Sequence, residues 1–146
     1  MSSIHFPMKS LPLFLILIFA CFLTACGGMT KGKQAAEQGV ADFHQLYNEG
    51  KLVEIYLAGH AQLKAATSEA QFLEFVGAVQ RKLGKVTKTE SAGFNVRTFN
   101  LTTTVVLTQT TAFEQGSGTE TFTFQMDGDK AVMVGWNISS KELILK

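Results

Sequence analysis

The chain has 146 residues, of which 46% are hydrophobic, with thirteen Lys and Arg against twelve Asp and Glu. That length is enough for one domain with its own core. The balanced charge carries no basic patch of the kind phosphate binding needs, which argues against a nucleic-acid partner.

The N-terminus reads as an export signal. Residues 1–10 hold one firm positive charge, Lys9, and no acid, and residues 11–22 are almost uninterruptedly apolar. As a helix those twelve residues reach only about 18 Å, short of the roughly 30 Å of a bilayer core. A basic start, a short apolar middle and small residues at the end form the pattern of a secretory signal peptide.

Leu23-Thr24-Ala25-Cys26 closes that run. It resembles the lipobox of bacterial lipoproteins: an aliphatic residue, two small residues and a cysteine. The resemblance implies cleavage between Ala25 and Cys26, a diacylglyceryl thioether on Cys26 and acylation of the new amine. One acyl chain holds weakly, whereas two or three make a stable anchor. Gly27 follows the cysteine in place of aspartate, which by the same analogy favours the periplasmic face of the outer membrane. The alternative is a freely secreted protein cut near Ala25. Cys21 lies inside the segment to be removed and Cys26 would be consumed by lipid, so no disulfide is expected. The expected organisation is a lipoprotein signal peptide at 1–25, the lipidated cysteine and a flexible glycine-rich tether at 26–33, and one α+β domain at 34–146.

Three N-terminal helices are expected in that domain. Over residues 34–49, Ala36, Val40, Phe43 and Tyr47 recur at helical spacing, and Gly50 is placed to end the helix. Gly39 weakens this helix, so close packing against a neighbour is its expected compensation. His44, next to Phe43, is read as partly exposed at the stripe's edge. Residues 51–58 form a second helix, with Leu52, Ile55 and Tyr56 on one face and Gly59 at its end. Residues 60–66 fit a helical turn or a loop. Ser68-Glu69-Ala70-Gln71 matches a capping box and opens a third helix, whose apolar face holds Phe72, Phe75, Val76, Val79 and Leu83. Arg81 and Lys82 sit in its last turn, where cations suit the helix dipole, and Gly84 ends it.

From Val86 onward the period falls to 2. Residues 86–90 and 94–99 are expected as short strands joined by an Ala92-Gly93 turn. In residues 101–113, Leu101, Thr103, Val105, Leu107 and Phe113 share one face; Gln115-Gly116-Ser117-Gly118 then breaks the run. Residues 119–126 put Phe122, Phe124 and Met126 on one face, Asp127-Gly128-Asp129 turns the chain, and residues 131–140 offer Val132, Val134, Trp136 and Ile138. Short turns between strands imply an antiparallel sheet with one covered face and one solvated, threonine-rich face. Helices preceding strands without alternation argue for α+β.

This arrangement resembles the cystatin-like cone fold of nuclear transport factor 2 and ketosteroid isomerase, and more narrowly bacterial lipoproteins of that fold. The shared features are Phe43 and Tyr47 before Gly50, then Tyr56, Ser68, Phe72, Phe75, Leu83 and Gly84. Later come Phe113, Glu120-Thr121-Phe122-Thr123-Phe124 and Gly135-Trp136-Asn137-Ile138. One such fold hosts many activities. The ketosteroid isomerase side of the superfamily uses a carboxylate base in the cone mouth, and no motif here matches its positions. Glu120 shares parity with Phe122 and Phe124, so it could lean toward the covered face, where desolvation prepares a base; at a strand end it is more often solvated. Tyr56, Glu120 and Trp136 are the candidate pocket residues, with a core anchor as the default role of Trp136. His44 and His60 show no metal-ligand spacing, no cofactor fingerprint occurs, and no catalytic residue is assigned.

The leading functional expectation is a membrane-anchored, non-catalytic domain that binds an envelope protein or a small apolar ligand, with the membrane as partner through the acyl chains of Cys26. The alternatives are a carrier or enzyme using the cone cavity and a toxin-neutralising lipoprotein. A cone filled by Phe72, Phe75, Phe122 and Trp136 opposes the cavity reading; an open pocket with buried Glu120 or Tyr56 revives it. Homodimerisation through the exposed sheet face, common in the superfamily, is a third reading.

Overall fold

The computed structural model describes residues 27–145; the expected signal peptide at 1–25, its expected cleavage site and Cys26 lie outside the described residues. The domain is α+β. Helices α1 (Gly27–Asn48), α2 (Leu52–Ala58), α3 (Ala61–Ala66) and α4 (Glu69–Leu83) precede strands β1 (Val86–Phe99), β2 (Thr102–Phe113), β3 (Gly116–Asp127) and β4 (Lys130–Ser139), and α5 (Lys141–Leu145) follows. The strands form one curved antiparallel sheet in the order β1-β2-β3-β4, and the helices pack against one face.

Helix α1 begins at Gly27, not near Gln34, so residues 27–33 are helical where a flexible tether was expected. Tertiary contact outweighs the poor helix propensity of the glycines. Gly32 is buried, and a Cβ added there would lie 3.5 Å from Val105 Cγ2. Lys33 pairs with Glu37 one turn on and sits over the ring of Phe94. Residues 60–66 form a helical turn: the His60 side chain caps α3 by accepting from Gln62 N–H at 3.1 Å, so among the described residues four helices precede the sheet where three were expected. The capping box of α4 forms as expected between Ser68 and Gln71, and Gly84 ends the helix at φ 75°. Phe75 departs from its expected burial and is 48% exposed.

The sheet differs from the expected pattern in four places. Ala92-Gly93 is an irregularity within one fourteen-residue strand, where pairing slips between Ser91 and Gly93, and not a hairpin turn. Leu101 sits fully exposed with Asn100 in the β1–β2 turn, both at positive φ, as a two-residue primed hairpin turn requires. Strand β3 already begins at Gly116. Finally, β3 pairs Thr123 with Gly135 but Phe124 with Met133, leaving Val134 as an extra residue. Such a bulge reverses the facing of everything beyond it. Trp136 and Ile138 therefore point into the core together with Met133 and Ala131, while Val132 and Val134 turn to the outer face.

The core lies between α1, α2, α4 and the inner faces of β2, β3 and β4. Ala36, Val40, Phe43 and Tyr47 of α1 meet Val105, Leu107 and Phe113 of β2 and Phe122 and Phe124 of β3, all buried.

Candidate functional site

At the centre of this apolar core stands a carboxylate. Alternation along β3 sends Glu120 inward with Phe122 and Phe124, and it is buried. An ionised side chain there is costly unless it is fully hydrogen-bonded. Glu120 is. His44 Nε2 lies 2.7 Å from Oε2, the Thr111 hydroxyl donates to Oε2 at 2.5 Å, and Trp136 Nε1–H donates to Oε1 at 3.0 Å. Toward a carboxylate acceptor, the His44 nitrogen is the protonated one.

Each partner arrives by the periodicity of its own element. His44 lies four residues after Val40 and three before Tyr47 on α1, so it shares their inward stripe; it is 7% exposed, a correction to its expected place at the helix edge. Thr111 and Gln109 have the same parity on β2 as Val105, Leu107 and Phe113, and both are buried. Trp136 occupies the inward side of β4 directly opposite Phe122. The Thr111 hydroxyl also meets that of Thr89 at 3.0 Å. A line of hydroxyls thus runs from exposed Thr89 on β1 through Thr111 to the buried acid. Aromatic rings enclose the cluster: Phe43 packs 5.0 Å from Trp136 and 5.1 Å from Phe122, and His44 packs 5.7 Å from Phe122.

Of the three residues expected at a pocket, Glu120 and Trp136 are joined directly. Tyr56 stands apart from them. Its ring packs 5.5 Å from Phe72, and its hydroxyl donates to the Thr67 carbonyl at 3.0 Å, tying α2 to the end of α3. Burial, followed by the charges of Glu120 and Glu114, raises the Tyr47 phenol above its ordinary value. That hydroxyl donates to the Gly84 carbonyl at 3.0 Å.

A small apolar cavity of about 110 Å³ opens between α1, α2 and the sheet. It is lined by Phe43, Leu46, Ile55, Phe124, Met133 and the exposed Asp42, among others, and by none of Tyr56, Glu120 or Trp136. Small-molecule sites run to about 300–1,000 Å³, so this cavity is a notch for one side chain or methyl cluster. A larger hollow of about 420 Å³ lies at the outer face, bounded by Thr110, Ser117, Thr119, Ser139, Ser140 and Lys141. It has hydroxyls where an apolar ligand would need hydrocarbon. Among the described residues, no group of three His, Cys, Asp or Glu is placed to hold a metal ion.

An imidazole on a carboxylate is the composition of an acid–base pair. Here the two side chains are only 8% and 1% exposed and spend their hydrogen bonds on each other and on the core. The geometry suits joining elements more than meeting substrate. Comparison with protein-family models, curated proteins and solved structures finds no match to this chain.

Proposed function

We propose that this protein is a lipid-anchored domain of the bacterial cell envelope that works by binding, not by catalysis. The anchoring rests on Leu23-Thr24-Ala25-Cys26, with Cys26 carrying the acyl chains and the domain held at the periplasmic face of the outer membrane. The non-catalytic reading is carried by one observation: Glu120, the one buried carboxylate among the described residues, has both oxygens committed to core donors and lines none of the cavities described above. In this reading the domain has the cone fold of the nuclear transport factor 2 and ketosteroid isomerase superfamily, with the cone filled. Phe72, Phe122 and Trp136 occupy it, and half-exposed Phe75 closes over Trp136 at 5.6 Å.

The test is fractionation of cells producing the full chain, followed by mass spectrometry of the mature N-terminus. The expected result is membrane association, a diacylglyceryl adduct on Cys26 and a precursor that accumulates when the lipoprotein signal peptidase is inhibited. Cys26→Ala should lose all three. A variant that stays membrane-bound and processed without Cys26 overturns the reading. Pulldown from envelope extracts with the lipidated protein then looks for the partner.

One observation favours homodimerisation through the sheet as a second reading. The β4 bulge places Val132 and Val134 on the outer face, where pairing brings them beside Gln125, Thr123, Val106 and Thr104. The resulting strip is uncharged. Light scattering on the full chain in detergent, with Val134→Lys as the disrupting variant, decides between monomer and dimer.

A further inference from the structure

We propose that the end of the domain formed by the start of α1 and the β1–β2 turn is a membrane-contact face, and that Phe99, Leu101 and Met29 enter the interfacial layer of the bilayer. This deepens the lipoprotein reading above and rests on it.

The first step is the lack of slack. The chain is helical from Gly27, the first described residue and the one directly after Cys26 in the sequence. A lipid on Cys26 would therefore pull the first turn of α1 to the membrane surface, with no flexible spacer to let the domain tumble. Whatever lies at that end of the molecule is held against the headgroups.

The second step is to find that end. Along α1 from its C-terminus, Asn48 bonds Val86, His44 bonds Glu120, Gly39 abuts Phe124, and Gly32 abuts Val105. Glu120 pairs with Gln109 and Phe124 with Val105, while Val86 pairs with Phe113. From Asn48 to Gly39, backward travel along the helix is thus backward travel along β2, from Phe113 to Val105, and from Gly39 to Gly32 the helix crosses from β3 to β2 at that level. Beyond Gly32 the helix runs five more residues, about 7.5 Å, to Gly27. Beyond Val105 the strand and turn run four more, about 13 Å, to Leu101. The β3–β4 turn comes to the same end, since Lys31, Gln34 and Ala35 share a surface hollow with Asp129.

The third step is what that end exposes. Leu101 is wholly in solvent, Phe99 is 73% exposed and Met29 is 59% exposed. A two-residue turn commonly carries Asn, Asp or Gly; a leucine at positive φ is strained there and buries nothing within its own domain. Lys31 and Arg97 are exposed two residues from Met29 and Phe99 in the chain, and cations close to apolar side chains suit the headgroup boundary. Asp127, Asp129 and Lys130 hold the neighbouring turn polar, which confines insertion to the β1–β2 side. The opposite end supplies a control: Ile144 on α5 is 84% exposed, and α5 packs near Gly116 and Lys82, at the far end of β2 and β3.

The experiment uses the full lipidated chain, whose mature form has no other cysteine. Leu101→Cys, Phe99→Cys and Ile144→Cys are each labelled with a polarity-sensitive fluorophore and reconstituted in phosphatidylethanolamine–phosphatidylglycerol vesicles containing a nitroxide-labelled lipid. The expected result is a blue shift and several-fold stronger quenching at positions 101 and 99 than at 144. Equal quenching at 101 and 144, in protein whose mass shows the Cys26 adduct, overturns the contact face alone. Absence of that adduct overturns the anchored reading and this inference with it, so the two failures carry different signatures.

Discussion

His44 and Glu120 meet at 2.7 Å across 76 positions of the chain, and their contact joins the longest helix to a central strand. With Thr111 from β2 and Trp136 from β4 on the same carboxylate, one side chain ties three strands to α1. An apolar core tolerates a strand slipping by two residues far better than this cluster would, because a slip strands every donor at once. The cluster therefore selects register as well as contributing stability.

Removing the acceptor should show this. Glu120→Leu takes the shared acceptor from the His44, Thr111 and Trp136 donors, leaving Thr111 its Thr89 contact, and should cost about 3–5 kcal/mol, as breaking a buried pair typically does. Glu120→Gln keeps one acceptor oxygen and should cost less, about 1–3 kcal/mol. Urea midpoints measure both, and Trp136, the chain's only tryptophan, reports the local change by fluorescence. A Leu variant as stable as the parent would mean that the network contributes nothing.

Gly39 tests how tightly α1 sits on the sheet. A Cβ there would lie 2.6 Å from Phe124 Cε1 and 2.9 Å from Cζ, and Phe124 is 1% exposed, with its ring stacked on Phe122. Gly39→Ala should gain about 1 kcal/mol of helix propensity and lose about 1–3 kcal/mol to overpacking. The expected balance is a net loss by chemical denaturation. A stabilised variant would show that the helix can lift from Phe124 at no cost.

The α4 cap offers a local comparison. Ser68 Oγ accepts from Gln71 N–H at 3.3 Å, and Gln71 Oε1 accepts from Ser68 N–H at 3.2 Å. Ser68→Ala should destabilise by about 1 kcal/mol, the usual worth of an N-cap, without altering the Trp136 spectrum. A spectral change would mean that the cap also positions Phe75, whose ring rests on that indole.

That cap was fully legible in the sequence, because four adjacent residues carry the whole interaction. The inward parity of Glu120, Phe122 and Phe124 was legible for the same reason: alternation is local. The Val134 bulge was not. Val132 and Val134 are as apolar as Ala131 and Met133, so only the pairing partner on β3 decides which pair faces inward. The helical start at Gly27 was hidden similarly, since Gly27, Gly28 and Gly32 read as linker until Val105 is known to lie against Gly32. The candidate site was half legible. Parity alone places Thr111 and Gln109 beside Val105 and Leu107, but nothing local pairs His44 with an acid 76 residues away.

Tyr47 carries a pH dependence whose sign follows from its surroundings. It is 1% exposed and donates to the Gly84 carbonyl at 3.0 Å, and burial, then the charges of Glu120 and Glu114, push its phenol up. The unfolded chain releases that proton near pH 10, while the folded protein holds it to higher pH. Stability from this group is fully present below about pH 10 and drains as pH rises from there through the raised folded value. Tyr47→Phe should cost about 1 kcal/mol at neutral pH through the lost hydrogen bond. It also removes the alkaline loss, so the gap between parent and variant should narrow as pH climbs beyond 10. Urea midpoints of both proteins at about pH 7, 9 and 11 measure that gap. A gap that stays constant across the series would mean that Tyr47 ionises as readily folded as unfolded, and that its hydroxyl is not held in a dry site.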